Sequence, residues 1–223
     1  MRRWVLTIVL WCVGWVSGCA GSTLPQPPNL APVNPDQLAG SVTENVPLDL
    51  EIGAGPGAAP AAVDVWIWNL DRGDAPVVVR SNDEGAFQAN IPHTDGEELR
   101  FQTRRGLERG TPVDLVYNGG FSSPMRPFCL EVPLEVDLGR DRAGTVVIEN
   151  GCEDAVAIES ATLRSSPSPL TVEPPVAASV PVGARFEIVV RAPGVGTAED
   201  ILFIEARLPG PARYPVTVIT RAE

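Results

Sequence analysis

Residues 47–52, Pro-Leu-Asp-Leu-Glu-Ile, alternate apolar and polar side chains. Successive side chains of a β-strand point to opposite faces, so Leu48, Leu50 and Ile52 would share one apolar face. The same alternation returns far along the chain in Phe186-Glu-Ile-Val-Val190. Both stretches therefore predict half-buried strands, and they set the expected fold class for the sequence between them.

From Gly40 onward, short apolar stretches are separated by Gly, Pro, Asn and Asp, and no segment has sustained helical spacing. This pattern is typical of strands and turns. Strands are predicted at 47–52, 63–70, 77–80, 86–91, 99–103 and 113–117, and then at 132–138, 145–149, 156–164, 170–172, 185–191, 201–207 and 214–221. We expect an all-β protein with two antiparallel β-sandwich domains, 40–118 and 130–223, joined by a connection at 119–129. Seven short strands suit an Ig-like sandwich in the second domain.

The N-terminus has the pattern of an export signal. Arg2 and Arg3 precede an apolar run at 4–16, which small residues connect to Cys19. The run has about 13 residues, whereas a transmembrane helix needs roughly 20. Residues 1–18 are therefore predicted to be a signal peptide.

Val16-Ser17-Gly18-Cys19 resembles the lipobox of bacterial lipoproteins. The resemblance implies that acyl chains such as palmitate are attached to Cys19 and that the chain is cut just before it. An ordinary secretory signal with a chance cysteine is the alternative. Ala20 follows the cysteine, which is similar to an outer-membrane address in Gram-negative cells. The expected location is the cell envelope, with a lipid anchor in the outer membrane.

Residues 19–39 contain five prolines and almost no apolar periodicity. Such composition is typical of an extended tether. At about 3.1 Å per residue, twenty residues would reach roughly 60 Å. The predicted globular part would then stand well clear of the membrane.

The charge balance excludes several classes of function. All 17 basic residues are Arg, so the chain has no Lys for Schiff-base or Walker-type phosphate chemistry. The formal net charge is −11, and loss of Arg2 and Arg3 changes it to −13. An acidic chain is a poor partner for nucleic acid. No cofactor and no metal are expected.

Two cysteines form an even pair in the predicted mature chain. Cys12 leaves with the signal peptide and Cys19 takes the lipid, so Cys129 and Cys152 remain. In an oxidising compartment these two are expected to form a disulfide. Two separate buried thiols are the alternative.

The second predicted domain carries Asp137-Leu138-Gly139, Gly144-Thr-Val-Val-Ile-Glu-Asn150-Gly151 and Val182-Gly183. In this order the motifs resemble the Ig-like domains of the ASPM/SPD-2/Hydin type over roughly residues 130–222. The resemblance implies an Ig-like sandwich with a scaffolding or adhesive role.

The first predicted domain resembles carboxypeptidase-regulatory and transthyretin-like sandwiches more weakly. The similarity is carried by Val63-Asp-Val-Trp-Ile67, Asn82-Asp-Glu-Gly85-Ala-Phe87 and Gly96-Glu-Glu-Leu99. It implies a β-sandwich fold for this domain and no activity.

Trp66 and Trp68 are the only tryptophans outside the predicted signal peptide. On a strand they share one face, while Val63, Val65 and Ile67 share the other. The tryptophan face could be exposed and bind a sugar or a protein partner. Burial of both faces against a second sheet or the other domain is the alternative.

The sequence contains no recognisable catalytic constellation. His93, the single histidine, lies in a predicted turn without a nucleophile motif. We therefore expect a non-enzymatic, membrane-anchored envelope lipoprotein that acts as a binding or structural module through an envelope protein. The alternative is a carbohydrate-binding or weakly hydrolytic module that uses Trp66, Trp68 and the acidic turns at 83–84 and 95–98.

Overall fold

The structure is a computed structural model that describes residues 30–43, 48–173 and 177–220. The predicted signal peptide, the lipobox and Cys19 lie outside these residues. The strands, in chain order, are β1 Leu38–Thr43, β2 Asp49–Ala54, β3 Asp64–Asn69, β4 Val77–Arg80, β5 Phe87–Pro92, β6 Glu98–Arg105, β7 Glu108–Arg109, β8 Val113–Tyr117, β9 Phe121–Ser122, β10 Leu130–Glu131, β11 Glu135–Asp137, β12 Ala143–Asn150, β13 Val156–Leu163, β14 Thr171–Val172, β15 Ala178–Val180, β16 Arg185–Arg191, β17 Ala198–Leu208 and β18 Gly210–Thr220.

The helical content of the described ranges is one 3₁₀ turn at Pro35–Gln37. Within those ranges no helix has the length and apolar character needed to cross a membrane. The prediction of an all-β protein is confirmed.

The first unit, β1–β9, is a sandwich of two sheets. Their strand orders are β1-β2-β5 and β4-β3-β6-β8-β9, and the short β7 pairs with β6. Alternate side chains of β2 and β3 point into the space between the sheets, where Leu50, Ile52, Val65 and Ile67 have no exposed surface. The alternation that predicts these strands in the sequence therefore also builds the core.

The second unit, β10–β18, is a sandwich with strand orders β10-β12-β16-β14 and β11-β18-β17-β13-β15. Strand β11 runs parallel to β18, and the other pairs are antiparallel. One four-stranded sheet faces a sheet built on the β18-β17-β13 triple, which is the strand order of an immunoglobulin-type sandwich. Its core includes Val146, Ile148, Leu202 and Val216.

The strand predicted at 132–138 is too long. Within that range only Glu135–Asp137 is a strand (β11), and β10 ends before it at Glu131; Pro133 lies between the two strands and cannot donate a backbone hydrogen bond. Strands β1, β7, β9, β10 and β15 were not predicted. Strand β1 contains the small residues Ala39, Gly40 and Ser41, and the other four strands have only two or three residues each.

The predicted tether at 19–39 is too long. Leu30 forms a parallel bridge to Gly110, Val33 is 1% exposed, and Thr103 donates a 2.8 Å hydrogen bond to the Ala31 carbonyl. A Cβ at Gly110 would lie 2.2 Å from Thr103 Oγ1, so only glycine lets the segment lie this close. Proline-rich composition indicates an extended chain but does not prevent packing, and residues 30–39 belong to the first unit.

The disulfide between Cys129 and Cys152 is present, as the cysteine pair predicts. It joins the connection between the two units to the turn after β12. The Gly151 N–H donates a 2.8 Å hydrogen bond to the Cys129 carbonyl beside it. The bridge therefore fixes the start of the second unit.

The two units meet face to face, which makes four layers of sheet. The outward faces of β3 and β6 lie against the outward faces of β17 and β18, and we call this contact the junction. All seven side chains from Glu98 to Arg104 on β6 are buried. Strand β6 therefore packs into the first core with one face and into the junction with the other.

Candidate functional site

The junction has an aromatic and aliphatic centre. Trp68, Leu70 and Ile201 form a buried cluster, and Trp66 and Phe203 pack against it. Trp68 is 5% exposed, and the centroids of the two indoles are 5.7 Å apart. The second unit thus buries Trp68, as in the alternative that the sequence leaves open, whereas Trp66 keeps part of its surface exposed.

A buried arginine lies over both tryptophans. The Arg104 guanidinium carbon is 4.0 Å from the Trp66 ring centroid and 4.8 Å from that of Trp68. These are cation–π distances, which gain strength where the cation is shielded from water. Arg104 also donates two hydrogen bonds to Gln102 Oε1, which fixes the guanidinium over the rings.

At the C-terminal end of β6, Glu199 of β17 in the second unit binds two arginines of the first unit. Arg104 Nη1 and Arg109 Nη2 each donate a 2.9 Å hydrogen bond to Glu199 Oε2. Arg109 Nη1 and Arg104 Nη2 donate to Oε1. Burial alone would raise the pKa of Glu199, but hydrogen bonds and charges from Arg109 and Arg104 together lower it. Glu199 is therefore held as a carboxylate.

Arg100 crosses the middle of the junction and has no exposed surface. Its guanidinium donates to both oxygens of Asp114, at 2.7 and 2.9 Å, within the first unit. It also donates to Thr217 Oγ1 at 2.8 Å and to the Pro215 carbonyl at 2.6 Å in the second unit. One planar side chain therefore binds both units at once.

At the N-terminal end of β6, Glu98 is buried and faces two arginines. Arg126, from the connection, donates to Glu98 Oε1, and Arg213 Nη2 lies 3.4 Å from Oε2. Burial raises the pKa of Glu98; the charge of Arg126 opposes the rise, and the charge of Asp114 adds to it. This end is held by a carboxyl group that gains a proton more readily than usual.

Two concave surfaces border the junction. The first, which we call the junction pocket, has a volume of about 400 Å³ and is lined by residues that include Trp66, Leu107, Arg109, Thr197, Glu199 and Ile219. The second is a cleft of about 750 Å³ between the connection and the second unit, beside Pro124, Phe128, Leu134 and Tyr214. Concave sites between domains are common places for ligands.

The other candidate residues of the sequence are not gathered here. His93 is buried in the first unit, with Nε2 3.4 Å from the Tyr117 carbonyl oxygen. Asp83 and Glu84 lie exposed on a turn, while Glu97 binds Arg72 and Asn69. In the described part of the chain no three His, Cys, Asp or Glu side chains are placed to hold a metal ion.

Sequence reasoning assigned Glu98 to an acidic turn at 95–98 and missed the other charged groups of the junction. On β6, the polar residues Glu98, Arg100, Gln102 and Arg104 alternate with Leu99, Phe101 and Thr103. Such an alternation normally predicts a solvent-exposed face for the polar residues. The signal that could have identified them is on β3, where Trp66 and Trp68 make the corresponding face aromatic. A sheet that has aromatic residues beside charged ones on its outer face is a candidate for burial against a partner.

Neither a family model nor a curated protein matches the sequence. Among solved structures, a protein of unknown function from Porphyromonas gingivalis W83 is 12% identical with a TM-score of 0.32, and the match covers 83% of this chain and 97% of that one. The Vibrio cholerae VesB protease is 12% identical with a TM-score of 0.35, covering 76% of this chain and 66% of that one. Fibronectin domains FN1–FN3 of chicken CNTN1 are 10% identical with a TM-score of 0.26, covering 87% and 68%.

These neighbours include β-sandwich domains of the fibronectin and Ig-like kind. Their TM-scores are too low to support any comparison of function. The resemblances to ASPM/SPD-2/Hydin and transthyretin-like domains stay predictions.

Proposed function

We propose that this chain is a non-enzymatic, lipid-anchored module of the bacterial cell envelope whose two sandwiches act as one rigid body in protein–protein contacts. The observation that carries the proposal is the double burial of β6. A flexible pair of domains would expose the polar face of this strand when the domains separate, whereas here the second unit covers it.

The chemistry of the junction favours a permanent contact. Removing charged groups from water costs several kcal/mol per ion unless each is paired with good geometry. Arg100 and Arg104 are buried and fully engaged, so opening the junction would leave them with fewer partners. A module of this kind transmits position and force between an anchor and a bound partner.

The position of the anchor supports a role close to the membrane. From Cys19 to Leu30 there are eleven peptide steps, which reach roughly 35 Å when extended at about 3.1 Å per residue. Leu30 is attached at Gly110, next to β7 and the junction. Partners would therefore be bound near the membrane surface, by an acidic and lysine-free protein.

Lipidation is tested by metabolic labelling with palmitate in the native host. The wild-type chain and Cys12→Ser should carry label, and Cys19→Ser should carry none. Equal labelling of the Cys19→Ser chain, or no label in the wild type, would refute the anchor.

The binding role is tested by crosslinking intact cells that produce the tagged full-length chain or Cys19→Ser. We expect one recurrent envelope protein to be recovered with the anchored form alone. A glycan fraction instead of a protein, or the same recovery with both forms, would contradict the proposal of an anchored protein–protein module.

A further inference from the structure

We infer, as an extension that rests on the proposed function, that the cleft beside the connection binds an extended, positively charged segment of a partner protein as a strand added to β12. This cleft, which we call the connection cleft, has a volume of about 750 Å³. Addition of a strand to an open sheet edge is a common way in which proteins bind an extended peptide.

Strand β12 has an open edge at the connection cleft, which Val147 lines. On this side β12 pairs with β10 at its last two residues only, and the Gly151 N–H donates to the Cys129 carbonyl just beyond them. Backbone groups of a strand alternate between its two edges, so the N–H and C=O groups of Thr145 and Val147 also face this side. Within the described ranges they have no hydrogen-bond partner there, since β11 pairs with β18 in the opposite sheet.

The apolar wall of the connection cleft is exposed and held in place. Phe128 lines the cleft, and both Phe128 and Met125 are fully exposed. Leu134, on the other side of β10, is 41% exposed. The disulfide between Cys129 and Cys152 fixes the backbone next to Phe128. Exposed large apolar side chains on a fixed backbone are typical of a surface that binds a partner.

The charge of the connection cleft favours a basic segment. Asp114, Glu131, Glu149 and Arg126 line it. Arg126 already binds Asp114, and Glu149 pairs with Arg185. Glu131 is exposed and has no ionic partner among the described residues. Lys or Arg side chains that alternate with apolar ones would therefore complement both the wall and the unpaired carboxylate.

A membrane or a second copy of the chain fits this cleft less well. Arg126 binds Glu98 at the N-terminal end of β6, whereas Leu30 is attached at Gly110, beside the C-terminal end. The two ends of the strand are about 20 Å apart, so the cleft lies away from the side where the anchored segment enters. An acidic cleft also repels anionic lipid and a second copy of an acidic chain.

The test is hydrogen–deuterium exchange of the full-length lipidated chain in detergent, measured by mass spectrometry, with the synthetic peptide acetyl-Lys-Val-Lys-Val-Lys-Val-amide. We expect saturable protection of β12 by the amides of Thr145 and Val147, because the other amides of this strand face β16 or β10 already. The corresponding peptide with Glu in place of Lys should protect β12 less at the same concentration.

Val147→Pro removes an N–H of the open edge and leaves the ladder between β12 and β16 intact. Loss of this hydrogen bond should weaken peptide binding at least about fivefold. Glu187→Pro is the matched control, since the bond from the Glu173 N–H to the Val189 carbonyl shows that Glu187 faces the opposite edge of the same sheet; it should not change binding. Phe128→Ala, which removes no hydrogen bond, should weaken binding about tenfold.

Absence of saturable protection at β12 would overturn the inference, as would equal binding by the parent chain, Val147→Pro and Phe128→Ala, or tighter binding of the Glu peptide. Protection that appears without peptide as the protein concentration rises would assign the cleft to a second copy. Protection that appears on transfer to phosphatidylglycerol nanodiscs would assign it to the membrane. Either result would overturn the inference.

Crosslinking in intact cells separates this inference from the proposed function. Cells that produce Val147→Pro should lose the envelope protein that cells with Glu187→Pro retain. Equal recovery from both would leave the protein–protein role standing and exclude the connection cleft as its site.

Discussion

Glu98 and Glu199 close opposite ends of the same strand, and each faces two arginines, but their pKa values shift in opposite directions. The pKa of Glu98 is raised and that of Glu199 is lowered. Burial is the largest influence on both and acts in the same direction, so the difference comes from their partners. The number of neighbouring arginines does not decide the state of a buried carboxylate.

The hydrogen bonds decide it. Both oxygens of Glu199 accept from both Arg104 and Arg109, and these arginines have no better carboxylate nearby. Glu98 shares Arg126 with Asp114, whose Oδ2 is 3.1 Å from Arg126 Nη1. Asp114 therefore both competes for the cation and repels the second negative charge.

The largest effect should follow from Glu199→Ala. Arg104 would keep its position over the tryptophans without a carboxylate partner, and Arg109 would retain Glu135 at 3.7 Å. Loss of one member of a buried pair leaves an uncompensated charge, so we expect the free energy of unfolding to fall by about 3 kcal/mol. Urea denaturation at pH 7 measures it. A loss below about 1 kcal/mol would mean that water screens the ion pairs of Glu199. Glu199 and Glu98 would then contribute similarly to stability, contrary to the comparison.

Glu98→Gln should cost less, about 1 kcal/mol or below. Each of its arginines keeps another carboxylate, since Arg126 retains Asp114 and Arg213 retains Asp71 at 2.8 Å. The substitution also removes a charge that burial disfavours. The same urea experiment compares it with Glu199→Gln, the matched change at the other end. If Glu98→Gln lowers the free energy of unfolding more than Glu199→Gln does, the conclusion that Glu199 is the better stabilised carboxylate is wrong.

The opposite pKa shifts predict opposite dependences on pH. Between the ordinary value of 4.5 and its raised value, folded Glu98 binds more protons than the unfolded chain, so its contribution to stability rises as pH falls through that window. Folded Glu199 binds fewer protons below 4.5, so its contribution is lost as pH falls through its lowered value.

The free energy of unfolding is measured for the wild type and for each Gln variant at a series of pH values from 7 to 3. At each pH, the wild-type value minus the variant value gives the contribution of Glu98 or of Glu199 to stability. The difference for Glu98 should increase as the pH falls, beginning above pH 4.5. The difference for Glu199 should decrease as the pH falls, but only below pH 4.5. Two curves of the same sign would contradict the assignment.

The smallest effect should come from an ion pair outside the junction. Arg185 and Glu149 form a 2.7 Å pair on adjacent strands, but their side chains are 67% and 43% exposed. Exposed pairs contribute only about 0.3 kcal/mol, because water and salt screen them. Glu149→Gln should therefore shift the urea midpoint hardly at all. A loss comparable with that in Glu199→Ala would show that burial is not the cause of the difference.

The sequence predicts the strands better than it predicts the junction. Ranges 77–80, 113–117 and 185–191 agree with β4, β8 and β16, because alternation and flanking turn residues are local signals. The disulfide also follows from counting cysteines. Residues 30–39 were misassigned, since their packing depends on Gly110 and Thr103, some seventy positions away.

The junction could not be predicted because its contacts, too, join residues that are far apart in the sequence, at even greater separations. Arg100 binds Thr217, and Arg104 binds Glu199. No local pattern on β6 distinguishes a charged face in water from one paired with a strand a hundred residues later. Trp66 and Trp68 narrow the alternatives to an exposed or a covered aromatic face, and only the position of the second unit decides between them.

The double burial of β6 also determines what sequence divergence this protein can tolerate. From Glu98 to Arg104 every side chain touches one packed layer or the other, so this segment has no surface position at which substitutions could accumulate freely. Loops and outer strands can change while Glu-Leu-Arg-Phe-Gln-Thr-Arg stays. These seven residues, paired with a glutamate about a hundred positions later, are therefore the pattern by which a remote homologue of the whole two-unit chain would be recognised.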